Sequence, residues 1–296
     1  MRNSPLIHIF GEVLFDHFPD GSRVLGGAPF NVAWHLQSFG QSPRLLSRIG
    51  ADPEGQEILQ LMKSRSMCLD ALQTDPNYPT GSVQVAIDHG EPHYEIVSDC
   101  AYDFIDPKLV AEQTSQGILY HGSLAIRNPI SRAALQTVKA KHQGKIFIDV
   151  NLRAPWWTSG RLMPLLGDAD WIKLNESELI SLCPGHADLE TAMLACFTQF
   201  NLETLFVTRG AEGALIYDRE HQLISVKPAA TQAVIDTVGA GDAFAAVLLL
   251  GLVSQWPLPT TLERAQAFAS ALVGRRGATV VDKSFYEAFA NSWALS

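Results

Sequence analysis

Residues 236–242 read Asp-Thr-Val-Gly-Ala-Gly-Asp and lead straight into the apolar run Ala243–Val253. The run has the texture of a buried helix, which places the small residues Gly239, Ala240 and Gly241 at its N-terminus. Backbone N–H groups there lack intrahelical acceptors, and the helix dipole presents its positive end. Residues this small let a bulky anion approach those groups closely. The turn can therefore receive a phosphoryl group on main-chain donors. Asp242, in the first helical turn, stands where it can take the proton of an attacking hydroxyl. A carboxylate is a weak base, but a loose phosphoryl-transfer transition state releases that proton late. An Asp that merely complements the helix dipole, worth roughly 0.3–1 kcal/mol, would leave the same trace. On bare spacing that second reading carries more weight. No GxxxxGK[ST] occurs, which excludes a P-loop, and no GxGxxG follows the first apolar run, which counts against a dinucleotide enzyme.

The elements that must position this turn follow an alternating pattern. "LIHIFGEVLF" reads as a first strand and "APFNVAWHLQSFG" as a helix ended by Gly40. "PRLLSRIG" is a strand, followed by a helix with Asp52 as its cap and Pro53 at its first position. "GILYHGSLAI", "KIFIDVNLR", "DWIKLN" and "TLFVTRG" are further strands, each with helical pattern nearby. Such repetition predicts an α/β fold, a doubly wound, mostly parallel sheet flanked by helices. Two segments, about 12–25 and 80–98, instead alternate apolar with polar residues around the turn signals Pro19-Asp20-Gly21 and His89-Gly90. They read as antiparallel hairpins forming a small, discontinuous β-sheet lid over a cleft, or as surface hairpins with no such role. With no linker, repeat or low-complexity tract, the chain is expected to be one domain over residues 1–296.

Composition narrows the function classes. The chain has 296 residues, 47% hydrophobic and 18% charged, enough for a substantial core. A formal net charge of −9, with no basic run, argues against nucleic acid as partner. The cysteines Cys68, Cys100, Cys183 and Cys196 form no CxxC pair, so reduced thiols are expected rather than a disulfide framework or metal cluster. The N-terminal apolar run is broken by His8, Gly11 and Glu12, unlike a signal peptide, and no run reaches the roughly 20 residues that span a bilayer. A cytoplasmic protein with no membrane partner is the expectation.

Four motifs in order turn the first question. Asp236–Asp242 matches DTxGAGD at every fixed position; "GGAPFNVAWHLQSFG" supplies an early GG and an Asn-bearing helix start; Asn175-Glu176-Ser177-Glu178 is an NxxE element after a strand; "VTRGAEGALIY" is similar to a T-x-G-x-x-G loop. Together they cover about residues 5 to 285, and the chain resembles the ribokinase-like (pfkB-type) carbohydrate kinases, most closely the bacterial fructokinases. The resemblance implies ATP and Mg²⁺ as cofactors, a small sugar as substrate, and Asp242 as general base. It implies Gly239, Ala240 and Gly241 as donors to the transferring group, with Thr237 in the same surroundings or acting as an N-cap hydroxyl. Asn175 and Glu178 would face the ATP phosphates, Glu178 reaching Mg²⁺ through water. Thr208, Gly210 and Gly213 would form the nucleotide loop, which can equally be a plain hairpin turn. Asp236 would hold a monovalent cation, K⁺, with carbonyls from the late "RRGATVV" segment.

For the sugar, the resemblance places Asp16, Gly26, Gly27 and Asn31 against hydroxyls, with Glu12 at the hinge. "DVNLRAPWW" is similar to the D-x-N-x-R-x-x-x-W stretch of fructokinases. Asn151 would then touch substrate, and Arg153 would offer its guanidinium to substrate or phosphate, unless it simply packs over Trp156 or Trp157. D-fructose is the first substrate; related kinases take 2-keto-3-deoxygluconate, tagatose 6-phosphate or nucleosides, and a non-catalytic sensing relative is a further class. The aromatics of "HYEIVSDCAYDF" read as an exposed contact, making a homodimer through the lid the expected assembly.

Overall fold

The computed structural model describes residues 7–88, 91–110, 116–220, 222–228 and 234–295, so the His89-Gly90 turn lies outside the described residues. Its strands, in chain order, begin with β1 (Ile7–Phe10), β2 (Leu14–His17), β3 (Arg23–Gly26), β4 (Arg44–Gly50), β5 (Leu72–Asp75), β6 (Gly81–Asp88) and β7 (Glu91–Ile96). They continue with β8 (Ile118–His121), β9 (Lys145–Asp149), β10 (Trp171–Asn175), β11 (Thr204–Thr208), β12 (Ala214–Asp218) and β13 (Leu223–Val226).

Nine strands make the main sheet, in the order β13-β12-β11-β10-β9-β8-β1-β4-β5. Pairing is parallel from β11 across to β5, while β12 and β13 extend one edge antiparallel. From β1 the sheet grows one way through β4 and β5 and the other way through β8 to β11. The strand order therefore reverses beside β1, where a doubly wound sheet opens a crevice at its carboxyl ends. Side chains alternate between two cores: Ile9, Tyr120, Phe147 and Phe206 face one, and Phe10, Leu119, Ile148 and Leu205 the other. Helices cover both faces. The helix Ala240–Val253 is apolar all round and buried from Ala243 to Gly251, which fixes its N-terminus against the crevice.

Four strands make the lid, in the order β3-β2-β6-β7. Its two hairpins are antiparallel, as their alternation implies, and β2 joins β6 in parallel. Val83 and Val85 are buried and Gln84 is exposed, so the lid has one wet face. The first strand is shorter than its apolar run. "LIHIFGEVLF" breaks after Phe10 at Gly11, where Pro29 leaves room for glycine alone: an added Cβ would lie 2.3 Å from Pro29 Cγ. There the chain leaves the main sheet, and β2 belongs to the lid. Asp52 ties the lid down: Oδ1 caps the Pro53–Ser64 helix at Gly55 N (2.8 Å), and Oδ2 accepts from Thr80 N (2.7 Å), just before β6.

The aromatic stretch after β7 is less exposed than its sequence implies. Tyr94 is exposed, but Tyr102 is buried and Phe104 stacks on Tyr78 at 3.6 Å between centroids. All four cysteines are free thiols. Among the described residues, no helix is long and apolar enough to cross a membrane.

Candidate active site

The end expected to receive the phosphate is built from main chain. Gly239 caps the Ala240–Val253 helix in a left-handed conformation (φ 78°), and a Cβ there would lie 2.4 Å from Ala278 Cα. Only glycine lets the turn close against residues 277–278. Asp236 locks that closure: Oδ1 accepts from Val238 N (3.0 Å) and Oδ2 from Gly277 N (2.9 Å). The cap makes no side-chain hydrogen bond, so Thr237, which is exposed, is not the N-cap hydroxyl. Ala240 N–H reaches Thr237 O only at 3.3 Å, whereas Gly241 and Asp242, also in the first turn, have no intrahelical acceptor. Gly241 N–H, one of the three expected donors, is thus available, and Asp242 N–H stands beside it.

Asp242 is half-buried, and its Oδ2 accepts from Asn31 Nδ2 at 2.8 Å. Asn31 lies in the first turn of the Ala28–Ser38 helix, immediately behind the Gly26-Gly27 pair. Burial raises the Asp242 carboxyl above its ordinary range; the Asn31 bond and the Lys173 charge oppose that, Asp149 adds to it, and Arg153 opposes it again. Beneath the turn lies a cluster of which only Asp149, the first residue of the D-x-N-x-R stretch, belonged to a motif. Lys173 Nζ bonds both oxygens of Asp149 (3.0 and 2.9 Å), and Tyr120 OH donates to Asp149 Oδ2 (3.0 Å). The sequence signal was there: "DWIKLN" and "KIFIDV" each set a charge in a buried strand.

The end expected to receive the sugar is built from side chains. Asp16 on β2 faces Gly26 on β3, where a Cβ would lie 3.2 Å from Asp16 Oδ2. Gly27 has φ 100°, and a Cβ there would meet Glu12 O at 2.7 Å. Burial pushes the Asp16 carboxyl up to about 6, against the pull of Arg153 and His17. Burial also pushes Glu12 up to about 7, helped by Asp242 and opposed by Arg153 and Arg127; its Oε2 has no partner. Asn151 takes a left-handed backbone (φ 41°), carrying the chain from β9 toward Arg153. Arg153 is exposed, and its charge reaches Glu12, Asp16 and Asp242 together. The packing alternative for Arg153 belongs to another residue: Arg127 lies over Trp156 at 4.4 Å and pairs with buried Asp103 at 2.7 Å. An open cleft of about 430 Å³ lies between the β2–β3 hairpin (Asp20, Ser22, Val24) and the 276–279 segment, beside the candidate site residues and not lined by them.

At the neighbouring strand ends, Asn175 and Thr208 are register partners on β10 and β11. Asn175 and Glu178 form a capping box: Asn175 Oδ1 accepts from Glu178 N (2.9 Å) and Glu178 Oε2 from Asn175 N (2.8 Å). Glu178 Oε1 also accepts from Leu152 N (2.7 Å), tying the Asn151–Arg153 segment to this helix. Gly210 and Gly213 shape the β11–β12 hairpin, where a Cβ on Gly213 would run into Val226 O at 1.9 Å. β11 and β12 thus pair as an antiparallel hairpin, and Arg209 between them donates to Glu176 Oε2 at 3.0 Å.

A carboxylate beside bare helix-terminal amides, facing a crevice at a strand-order reversal, defines a phosphotransferase that acts on a hydroxyl. The family model "pfkB family carbohydrate kinase" matches residues 7–283, and the chain belongs to that family. A fructokinase of Klebsiella pneumoniae is 31% identical over 263 residues, covering 84% of each chain. A crystal structure of a Vibrio cholerae O395 fructokinase double mutant, bound to fructose, ADP and a potassium ion, superposes with a TM-score of 0.83 at 26% identity, covering 97% of this chain and 98% of that one. An Arabidopsis thaliana ribokinase superposes at 0.78 with 20% identity, covering 97% and 98%, which shows the ribokinase-like fold alone.

Proposed function

We propose that the protein phosphorylates a small free sugar, D-fructose first, with ATP as donor. The observation that carries this reading is the Asn31–Asp242 hydrogen bond (2.8 Å), which joins the sugar-side helix to the carboxylate at the phosphate turn. The fructokinase relatives, and fructose and ADP in the V. cholerae structure, support it.

In this mechanism Asp16, Asn31 and the Gly26-Gly27 main chain orient the sugar, and Arg153 offers its guanidinium from the rim. Asp242 accepts the hydroxyl proton as the sugar oxygen bonds to the terminal phosphorus and the bond to the leaving ADP oxygen breaks. First-turn amides receive the charge on the phosphoryl oxygens. Thr237, Thr208, Gly210 and Gly213 border the nucleotide. In this reading a divalent ion arrives with the nucleotide, as Mg²⁺ keeps several of its own waters. Glu178 fits Mg²⁺ through water: each oxygen takes one N–H and keeps a further lone pair. Mg²⁺ would supply charge neutralisation on the phosphates. Asp236 has the same reserve toward K⁺, with carbonyls of the 275–281 segment as its partners in this reading. A homodimer through the lid, with exposed Tyr94 on edge strand β7, is read by light scattering; a monomer at assay concentration would contradict it.

The test is ADP release across a panel of free sugars, sugar acids and nucleosides. Fructose is expected to turn over fastest, and absence of turnover with it would retire that choice. Asp242→Asn should bind nucleotide yet lose about 10³-fold or more in kcat, within the span of a positioned base and its electrostatics. Near-normal turnover would remove Asp242 as the base.

A further inference from the structure

The buried Lys173–Asp149–Tyr120 cluster has no role in the mechanism above. Lys173 is 7% exposed and Asp149 3%, on the adjacent strands β10 and β9. A buried ion pair is a weak source of stability, because desolvation consumes most of the attraction. Its position is informative instead. A Cβ on Gly241 would lie 3.1 Å from Lys173 Nζ, so the ammonium presses against the backbone of the first helical turn, one residue before Asp242. Two of its N–H bonds serve Asp149, and among the described residues no acceptor is placed on the third.

We propose that Lys173 is a positioning residue for phosphoryl transfer, a fixed cation beneath Gly241 shared between the Asp242 carboxylate and the charge that arrives on the phosphoryl oxygens. Asp149, held by Tyr120, aims the ammonium and keeps it from swinging away. The cation acts from behind the turn, touching neither reactant, and the small residue at 241 is what admits it. The proposal rests on the reading of Asp242 as the base. The charged and titratable groups facing Asp242 are Lys173 on β10, Asp149 on β9, Tyr120 on β8, Arg153 beyond β9, and Glu12 beyond β1. Of the charged groups acting on Asp242 itself, Lys173 is the strongest, and it favours the anion.

Two variants test this: Lys173→Gln, whose amide can still donate to Asp149 but leaves it without a counter-charge, and the double change Lys173→Met with Asp149→Asn, which removes both charges. Both are expected to keep the wild-type circular dichroism and sugar and ATP KM values within a few-fold. Both should lose kcat by about 100-fold, the scale of one lost electrostatic contact to the reacting charge. The acid limb of kcat against pH should move to higher pH in both. Asp242→Asn is assayed alongside. If it is inactive while the Lys173 variants keep wild-type kcat and acid limb, the proposal is overturned and the base assignment stands. If Asp242→Asn retains turnover, both fall together.

Discussion

The two ends of the crevice are built from different materials. At the proposed phosphate end the groups on offer are amides, and their geometry is enforced by exclusion: Gly239 against Ala278, Gly241 against Lys173, and Asp236 pinning Gly277. At the proposed sugar end stand carboxylates, Asp16 and, at the hinge, Glu12, whose burial pushes them toward neutral pH. Amides carry no titration and tolerate no change of shape. Carboxylates tolerate a change of shape and respond to pH. The first end should therefore fail by sterics and the second by protonation.

The largest break is expected at the phosphate end. Gly239→Val places a β-branched residue at φ 78° with its Cβ inside Ala278. The left-handed backbone alone costs about 1–2 kcal/mol, and the overlap must displace the 277–278 segment. Turnover should fall by about 100-fold or more, with melting lowered by several degrees, in a coupled assay and by calorimetry. A variant that melts and turns over like wild type would show that the turn need not close.

Asp16→Asn sharpens the contrast. It keeps shape but loses the charged acceptor, worth about 1.5–3 kcal/mol, so sugar KM should rise ~10–100-fold with kcat less affected. In the wild type the sugar KM should also climb as pH falls through about 6, where Asp16 takes up its proton, and that dependence should vanish in the variant. A KM flat from pH 5 to 8 in both would remove Asp16 from the sugar.

Glu12 gives the smallest effect on catalysis and a distinct one on stability. Its carboxyl starts from 4.5 when unfolded and stands at about 7 when folded. Between those values the native state holds a proton that the unfolded chain has released, so stability falls as pH rises through that window. The penalty at pH 8 is on the order of 3 kcal/mol. Glu12→Gln should be the more stable protein at pH 8 and lose that advantage by pH 5, in paired thermal melts. Equal melting at both pH values would mean that Glu12 is already ionised and compensated.

The same division explains what was legible beforehand. Strand alternation, the Asp52 cap and the seven-residue turn at 236–242 are local signals, and the structure reproduces them. The small lid sheet was legible as two hairpins, but their parallel join through β2 and β6 was not, because it pairs residues far apart in sequence. The apolar run at the N-terminus hid a boundary at Gly11, whose cause is Pro29, on another element. Asp242, Asn31 and Asp16 stood out as polar residues in recognisable surroundings. Lys173 did not, since a lysine in an apolar strand acquires meaning only when β9 and β10 pair and the Ala240–Val253 helix is laid across them. The cation over Trp156 was hidden for the same reason: Arg127 is distant in sequence, whereas Arg153, the alternative weighed, is merely near.

The central claim is that phosphate is received on the first-turn amides of the Ala240–Val253 helix, next to Asp242. A crystal structure with a non-hydrolysable ATP analogue and the best sugar tests it directly. The account predicts the terminal phosphate within hydrogen-bond distance of those amides, and the acceptor hydroxyl on Asp242. A terminal phosphate seated elsewhere in the crevice would contradict it.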